Sequence, residues 1–123
     1  MADKKIILFI DDNPVDRTLI NNLLTKYEFK VLLAEDGIAG LRMAQEEKPD
    51  LILLDILLPH ISGIELCKKI KKNPVTQKIP IIFYTSIDTP KHLIDYTSYG
   101  AEDYIQKTMP QKDLIAAIKS ILK

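Results

Sequence analysis

An α/β domain with a doubly wound parallel sheet, helices on both faces and right-handed crossovers is what three features of this 123-residue chain predict. Strand-like and helix-like stretches alternate five times. The connections between them are short, with no Gly/Ser linker, repeat or low-complexity tract. Two apolar runs, Ile6–Ile10 and Leu51–Leu54, have no polar gap, as expected of strands buried on both faces.

Each element has its own cause. Lys5–Ile10 is β-branched-rich and ends abruptly at Asp11-Asp12. Asn13-Pro14 then opens a helix, with Asn13 as N-cap and Pro14 at the first helical position. Leu19, Ile20, Leu23, Leu24 and Tyr27 recur at helical spacing and predict its sheet-facing side. Lys30–Ala34 is the second strand, Glu35-Asp36-Gly37 a turn, and Ile38, Leu41 and Ala44 stripe a short helix that gives out near Glu47-Lys48-Pro49. The third strand, Leu51–Leu54, leads into Asp55 and a loop through Pro59 and Gly63. Ile64, Leu66, Cys67 and Ile70 stripe a third helix, ended by Lys71-Lys72-Asn73-Pro74. Pro80–Thr85 is the fourth strand. Thr89-Pro90 is expected to open a fourth helix running to about Tyr99-Gly100, with Leu93, Ile94 and Tyr96 as its apolar positions, the weakest stripe of the set. Asp103–Ile105 is a short fifth strand, and Leu114, Ile115, Ile118, Ile121 and Leu122 stripe a closing fifth helix.

Composition narrows the function. Hydrophobic residues make up 46% and charged residues 28%, ordinary values for one soluble domain. The 17 basic and 17 acidic residues cancel, which argues against a nucleic-acid surface driven by bulk charge. Cys67 is the only cysteine, so no disulfide forms within the chain and a reducing compartment fits. The polar start Met1–Lys5 and the shortness of the next apolar run predict neither a signal peptide nor a membrane span, hence a cytoplasmic location.

In a parallel sheet of this kind, ligands sit beyond the carboxyl ends of the strands. The residues at those ends are Asp11, Asp12, Asp55, Thr85, Ser86 and Lys107. Three carboxylates brought together need a counter-charge, and an all-oxygen cluster suits a hard divalent cation such as Mg²⁺. Lys107 adds a cation and Thr85 a hydroxyl donor. Such a set would hold a phosphoryl group beside a nucleophilic oxygen, and a carboxylate can be that nucleophile, forming an aspartyl phosphate.

With those residues placed, the whole chain resembles the receiver domain of two-component response regulators. The matching pieces are Asp11-Asp12-Asn13-Pro14, Asp55 with Pro59 and Gly63 at offsets of four and eight, Thr85-Ser86, and Gly100 through Lys107. No single piece is specific; four in order, each at a strand end, are. The resemblance implies a flavodoxin-like sheet of order 2-1-3-4-5. It implies that Asp55 accepts a phosphoryl group from a sensor histidine kinase or histidine phosphotransfer protein. Asp12 and Asp55 would ligate Mg²⁺ directly, Asp11 through water, and the Leu57 backbone carbonyl would complete the protein ligands. Lys107 would pair with Asp55 and then with the phosphate, Thr85 would bond a phosphoryl oxygen, and Tyr104 would swing inward. The fourth helix, fifth strand and fifth helix would show the result to a downstream protein target or output domain. The protein would be a switch that catalyses only its own phosphorylation and dephosphorylation, a monomer or a phosphorylation-dependent dimer, with no direct contact to nucleic acid or membrane. Residues 1–123 are expected to be this one domain without an output domain, either stand-alone or part of a longer regulator.

Three positions depart from the family pattern. Thr108 follows Lys107 where a cis proline is usual, so a trans bond and a differently shaped loop are expected before Met109-Pro110. Leu57 and Ile87 lie two residues beyond Asp55 and Thr85, where polar residues often orient the hydrolytic water; a comparatively long-lived phosphorylated state is expected. The plainer readings are that Asp11 and Asp12 are strand-end or capping residues, Thr85 a β-branched strand residue, and Tyr104 core. Cys67 is expected to be a small buried hydrophobe, His60 and His92 solvent-facing, and Lys68, Lys69, Lys71 and Lys72 one solvated helix face.

Other classes fit less well. A haloacid-dehalogenase-type phosphatase needs an acid two residues after its nucleophile, where this chain has Leu57 or Pro14. A flavodoxin-like cofactor binder needs a Ser/Thr/Gly-rich phosphate loop where this chain has Asp11-Asp12. A receiver-like interaction module that is never phosphorylated is the remaining alternative.

Overall fold

The two ungapped apolar runs take the centre of the sheet. A computed structural model describes residues 3–123. In it β1 (Ile6–Ile10) lies between β2 (Lys30–Ala34) and β3 (Leu51–Leu54), followed by β4 (Ile81–Thr85) and β5 (Asp103–Gln106). All pairings are parallel and the order is β2-β1-β3-β4-β5, as the resemblance implies. Every residue of β3 and β4 is buried.

Alternation along the strands divides the core in two. Leu8, Ile10, Ile52, Leu54, Ile81 and Phe83 face Ala44 of α2 (Gly37–Glu47) and Leu66, Cys67 and Ile70 of α3 (Gly63–Lys72). Ile7, Phe9, Leu51, Leu53 and Ile82 face Ile20 and Leu24 of α1 (Pro14–Lys26) and Leu114, Ile115 and Ile118 of α4 (Gln111–Leu122). Burying both faces of one sheet is the main driving force available to a chain of this size. Among the described residues no helix is long and apolar enough to cross a membrane.

The helix starts behave as their residues dictate. Asn13 caps α1 by accepting from the Val15 and Asp16 amides, with Pro14 at the first turn. Three stripe positions of the first two helices do not reach the core: Leu19 is 52% exposed, Tyr27 41% and Ile38 76%. On α2 the inner face is made by Gly37, Gly40 and Ala44 instead. Small residues let that helix approach closely, since a Cβ on Gly40 would lie 2.5 Å from Ile10.

The expected fourth helix does not form. Between Thr89 and Gly100 the chain makes one 3₁₀ turn, Lys91–Leu93, and then bends and turns. Pro90 at its start provides no side-chain cap. Ile94, Tyr96, Thr97, Ser98 and Tyr99 are poor helix formers. Tertiary bonds also claim the backbone: the Thr89 and Ile87 carbonyls accept from Tyr104 Oη and Gln106 Nε2, and the Tyr99 carbonyl accepts from Cys67 Sγ. The segment still covers the sheet, with Ile87, Ile94, Tyr96 and Tyr99 packed against the α2/α3-side core. Among the described residues there are thus four α-helices, and the surface next to β5 is a strap rather than a helix.

Gly63 fixes the loop after β3. Its amide donates to the Ile56 carbonyl at 2.8 Å, and a Cβ there would lie 2.1 Å from the Asp55 carbonyl oxygen and 2.7 Å from Ile56 Cα. This obstruction is the Asp55-Ile56 backbone, which cannot yield as a flexible side chain can. Gly63→Ala is therefore expected to destabilise the fold by at least about 2 kcal/mol in urea denaturation; wild-type stability would show that the loop has room to spare.

Candidate functional site

Register brings the acids together. Ile10 of β1 pairs with Leu54 of β3, so the next residues, Asp11 and Asp55, emerge side by side. The Asp55 amide donates to the Ile10 carbonyl at 3.0 Å and the Asp11 amide to the Ala34 carbonyl at 3.0 Å, extending the ladders one step past the strands. Asp11 is fully buried and Asp55 is 3% exposed, while Asp12 faces solvent. Carboxylate oxygens of Asp11, Asp12 and Asp55 all lie within 4.8 Å of one another. Three hard oxygen donors, one of them open to water, fit a Mg²⁺-type cation, and no soft or imidazole ligand intrudes.

The cation already in the cluster is Lys107. Its backbone amide donates to the Thr85 carbonyl at 2.8 Å, which anchors it at the end of the β4–β5 ladder. Its Nζ reaches back across the sheet edge to Asp11 Oδ2 at 2.5 Å, Asp16 Oδ2 at 2.7 Å and Asp55 Oδ2 at 3.2 Å. Burial disfavours its charge, but the hydrogen bonds to Asp11 and Asp16 outweigh that, and the ammonium is held well above its ordinary value of 10.5. Burial pushes the Asp11 carboxyl upward, against the pull of Lys107 and of the Asn13 amide. The direction that governs the cluster is that of Lys107, which stays protonated throughout the neutral range.

The other expected site residues fall around this centre. Thr85 is buried, and its hydroxyl accepts the Ile87 amide at 3.3 Å. The Leu57 amide donates to Asp55 Oδ1 at 3.2 Å, while the Leu57 side chain is 54% exposed at the mouth of the site. Ile87 is half-buried against the core. Tyr104 is already inward, 1% exposed, with its hydroxyl on the Ile87 and Thr89 carbonyls. The Lys107–Thr108 peptide is trans, as no cis bond occurs among the described residues. Cys67 is buried, and burial pushes its thiol up to about 11, which makes it an inert core residue. His60 and His92 are exposed, and Lys68, Lys69 and Lys72 face solvent while Lys71 is half-buried and donates to the Ile79 carbonyl at 2.6 Å.

Three residues were missed from sequence. Asp16 bonds Lys107, Arg17 Nη1 donates to the Asp11 carbonyl at 2.7 Å, and Gln106 shares the two carbonyls that Tyr104 holds. A signal existed for the first two: once Asn13 is the cap, Asp16 and Arg17 occupy the first turn of the helix that starts at the site.

Removing the ammonium would leave three carboxylates facing each other. Lys107→Met is expected to lose about 2 kcal/mol of stability at pH 7, less than for a fully buried pair because solvent reaches Asp16. Without the cation nothing from Lys107 opposes the burial that pushes the Asp11 carboxyl above its ordinary value, so the stability tied to that acid is present at low pH and lost as pH rises through its raised folded-state pKa. The deficit against wild type should therefore shrink between pH 7 and pH 4 in urea titrations; a pH-independent deficit would mean that packing, not charge, was lost.

Comparison with known proteins agrees with this fold. The response regulator receiver domain family matches residues 7–119. Protein PilH of Pseudomonas aeruginosa is 33% identical over 94% of this chain and 96% of its own length. Histidine kinase P4 of Formosa agariphila is 36% identical over 98% of this chain, which spans only 9% of that protein, and the chain spans 26% of response regulator PleD of Caulobacter vibrioides. Among solved structures, the BeF₃-activated N-terminal receiver domain of Klebsiella pneumoniae RstA superposes with a TM-score of 0.88 at 35% identity, covering 97% of this chain and 99% of that one. The receiver domain of a Pseudomonas aeruginosa sensor histidine kinase, solved with a magnesium ion coordinated in its active site cleft, gives 0.87 at 28% identity, covering 97% and 98%. A parallel sheet of order 2-1-3-4-5 with its acids and lysine at one edge, matched along nearly its full length, belongs to the receiver domain family of two-component response regulators.

Proposed function

We propose that this domain is a phosphoryl-accepting switch in which Asp55 is the nucleophile. One observation carries it: the Asp55 carboxylate is nearly buried at a strand end, yet is bonded by the Lys107 ammonium and the Leu57 amide and flanked by two further carboxylates. A buried acid in that company is costly for structure alone. The donor is a phosphohistidine on a sensor kinase or phosphotransfer protein. An Asp55 oxygen attacks phosphorus, the P–N bond breaks, and the imidazole keeps the electron pair and takes up a proton. The product is an acyl phosphate.

Asp12 and Asp55 would hold Mg²⁺, with Asp11 acting through water and the Leu57 carbonyl completing the protein ligands. Bound there, the ion would neutralise charge on the phosphoryl oxygens. The magnesium in the related Pseudomonas aeruginosa receiver supports this assignment. The residues of the chain do the rest. Lys107 moves an N–H from carboxylate to phosphoryl oxygen, and the Thr85 hydroxyl turns toward the same group. Thr85 is bonded to Ile87, and Ile87 to Tyr104 and Gln106, so a shift of Thr85 reaches the strap between β4 and β5. That strap, β5 and α4 form the surface a partner reads, and a dianion that favours one arrangement of it supplies the bias.

Incubation with acetyl phosphate and MgCl₂ followed by intact mass is expected to show one phosphoryl adduct on wild type and none on Asp55→Ala. No adduct on wild type would refute the assignment and favour an interaction module that is never phosphorylated; an equal adduct on the variant would refute it by placing the acceptor at another residue.

Hydrolysis needs an oriented water. Leu57 and Ile87 supply no polar side chain for one, so the acyl phosphate is expected to be long-lived. Leu57→Asn should lose its label roughly ten-fold faster than wild type, a barrier change of about 1.4 kcal/mol. Equal decay of the two would place the control of lifetime elsewhere.

A further inference from the structure

Lys107 makes three bonds with three N–H donors, and its two shorter ones do not go to Asp55. One goes to Asp11, which belongs with Asp12 and Asp55 to the oxygen cluster suited to a cation. The other goes to Asp16, which lies outside that cluster. Asp11 has a second bond, from the Asn13 amide, whereas the Asp16 carboxylate has Lys107 as its one partner among the described residues. Its position is fixed from both sides: Asn13 accepts the Asp16 amide, and α1 continues behind it.

An acid in the first turn of a helix is commonplace, because it complements the helix dipole. That role asks only for exposure near the N-terminus. Here the side chain is 27% exposed and reaches Lys107 at 2.7 Å, a lysine 91 residues away in sequence. The contact is a charge-assisted bond at the short end of its range. It directs the Lys107 ammonium toward α1 and away from the oxygen that accepts the phosphoryl group.

We propose that Asp16 is a positioning residue that holds the Lys107 ammonium short of Asp55 and competes with the incoming phosphoryl oxygens for it, so that it slows phosphoryl uptake. This rests on Asp55 being the acceptor. In the transfer from acetyl phosphate, a bond forms between an Asp55 oxygen and phosphorus while the P–O bond to acetate breaks, and acetate leaves with the electron pair. Negative charge is spread over the three phosphoryl oxygens at that moment. Lys107 can offer them an N–H only by giving up a carboxylate. The Asp16 bond is the one whose loss leaves the Asp11, Asp12 and Asp55 cluster intact, so its strength sets how readily the ammonium is delivered.

The test uses Asp16→Asn, which keeps the shape of the side chain, and Asp16→Ala, which removes the competitor outright. Glu47→Gln, at the far end of α2 and the opposite edge of the sheet, makes the same change in net charge. Phosphoryl uptake from acetyl phosphate at saturating MgCl₂ should be roughly three- to five-fold faster in both Asp16 variants and unchanged in Glu47→Gln. Independently of phosphorylation, the ¹⁵Nζ resonance of Lys107 should move in the Asp16 variants and not in Glu47→Gln, a response that a purely helix-stabilising acid would not produce. A normal adduct on wild type with unchanged uptake in both variants, or an unmoved Lys107 resonance, would overturn this proposal alone. Equal acceleration in Glu47→Gln would reduce the effect to net charge and also overturn it. No adduct on wild type would instead overturn the reading of Asp55, and the consequence for transfer with it.

Discussion

Lys107 is one ammonium group set among carboxylates from three different parts of the chain. Asp11 follows β1, Asp16 lies in α1 and Asp55 follows β3, while Lys107 itself follows β5. The acids are close because two adjacent parallel strands end in register, and no local rearrangement could separate them without breaking the central ladder. Their mutual repulsion is therefore imposed by the fold, and the fold also supplies its remedy from the far strand. A structural lysine would need only one carboxylate. One shared among three can be handed from one anion to another at modest cost, because every position it can take has a partner.

Much of this was legible from sequence because parallel strands buried on both faces read as ungapped apolar runs, and polar residues can appear only where such runs stop. Ile6–Ile10 followed by Asp11-Asp12, and Leu51–Leu54 followed by Asp55, marked both the strands and the site. The strand order needed the family resemblance, since periodicity does not say which strands are neighbours. Helix faces were less legible: Leu19 on α1 and Ile38 on α2 kept the spacing but are exposed, and on α2 the close approach to β1 is made by glycine and alanine, which carry little hydropathy signal.

The residues from Thr89 to Gly100 show where pattern reasoning ends. Their spacing suggested a helix, but its weak stripe competed with bonds from elements that follow in sequence. Tyr104 and Gln106 on β5 take the Thr89 carbonyl at the point where a helix would have started, and Lys91 pairs with Asp103. Asp16 escaped for the converse reason. An acid in a helix's first turn looks ordinary until the lysine it meets is known, and nothing in the local sequence points to a residue so far along the chain.

The strap that replaces the fourth helix changes what a conformational response there would require. A helix moves as a unit or melts at the expense of its repeating backbone bonds, and reforming it requires nucleation. The strap instead is held by separate tertiary contacts, among them the Ile87 and Thr89 carbonyls, each gripped by a tyrosine hydroxyl and a glutamine amide from the same strand. Tyr104 and Gln106 can release and regrip with no secondary structure lost. Rearrangement of this surface then belongs to the timescale of loops rather than of helix shifts. If Asp55 accepts a phosphoryl group as proposed, speed of response at this surface and longevity of the acyl phosphate would be set by separate parts of the molecule.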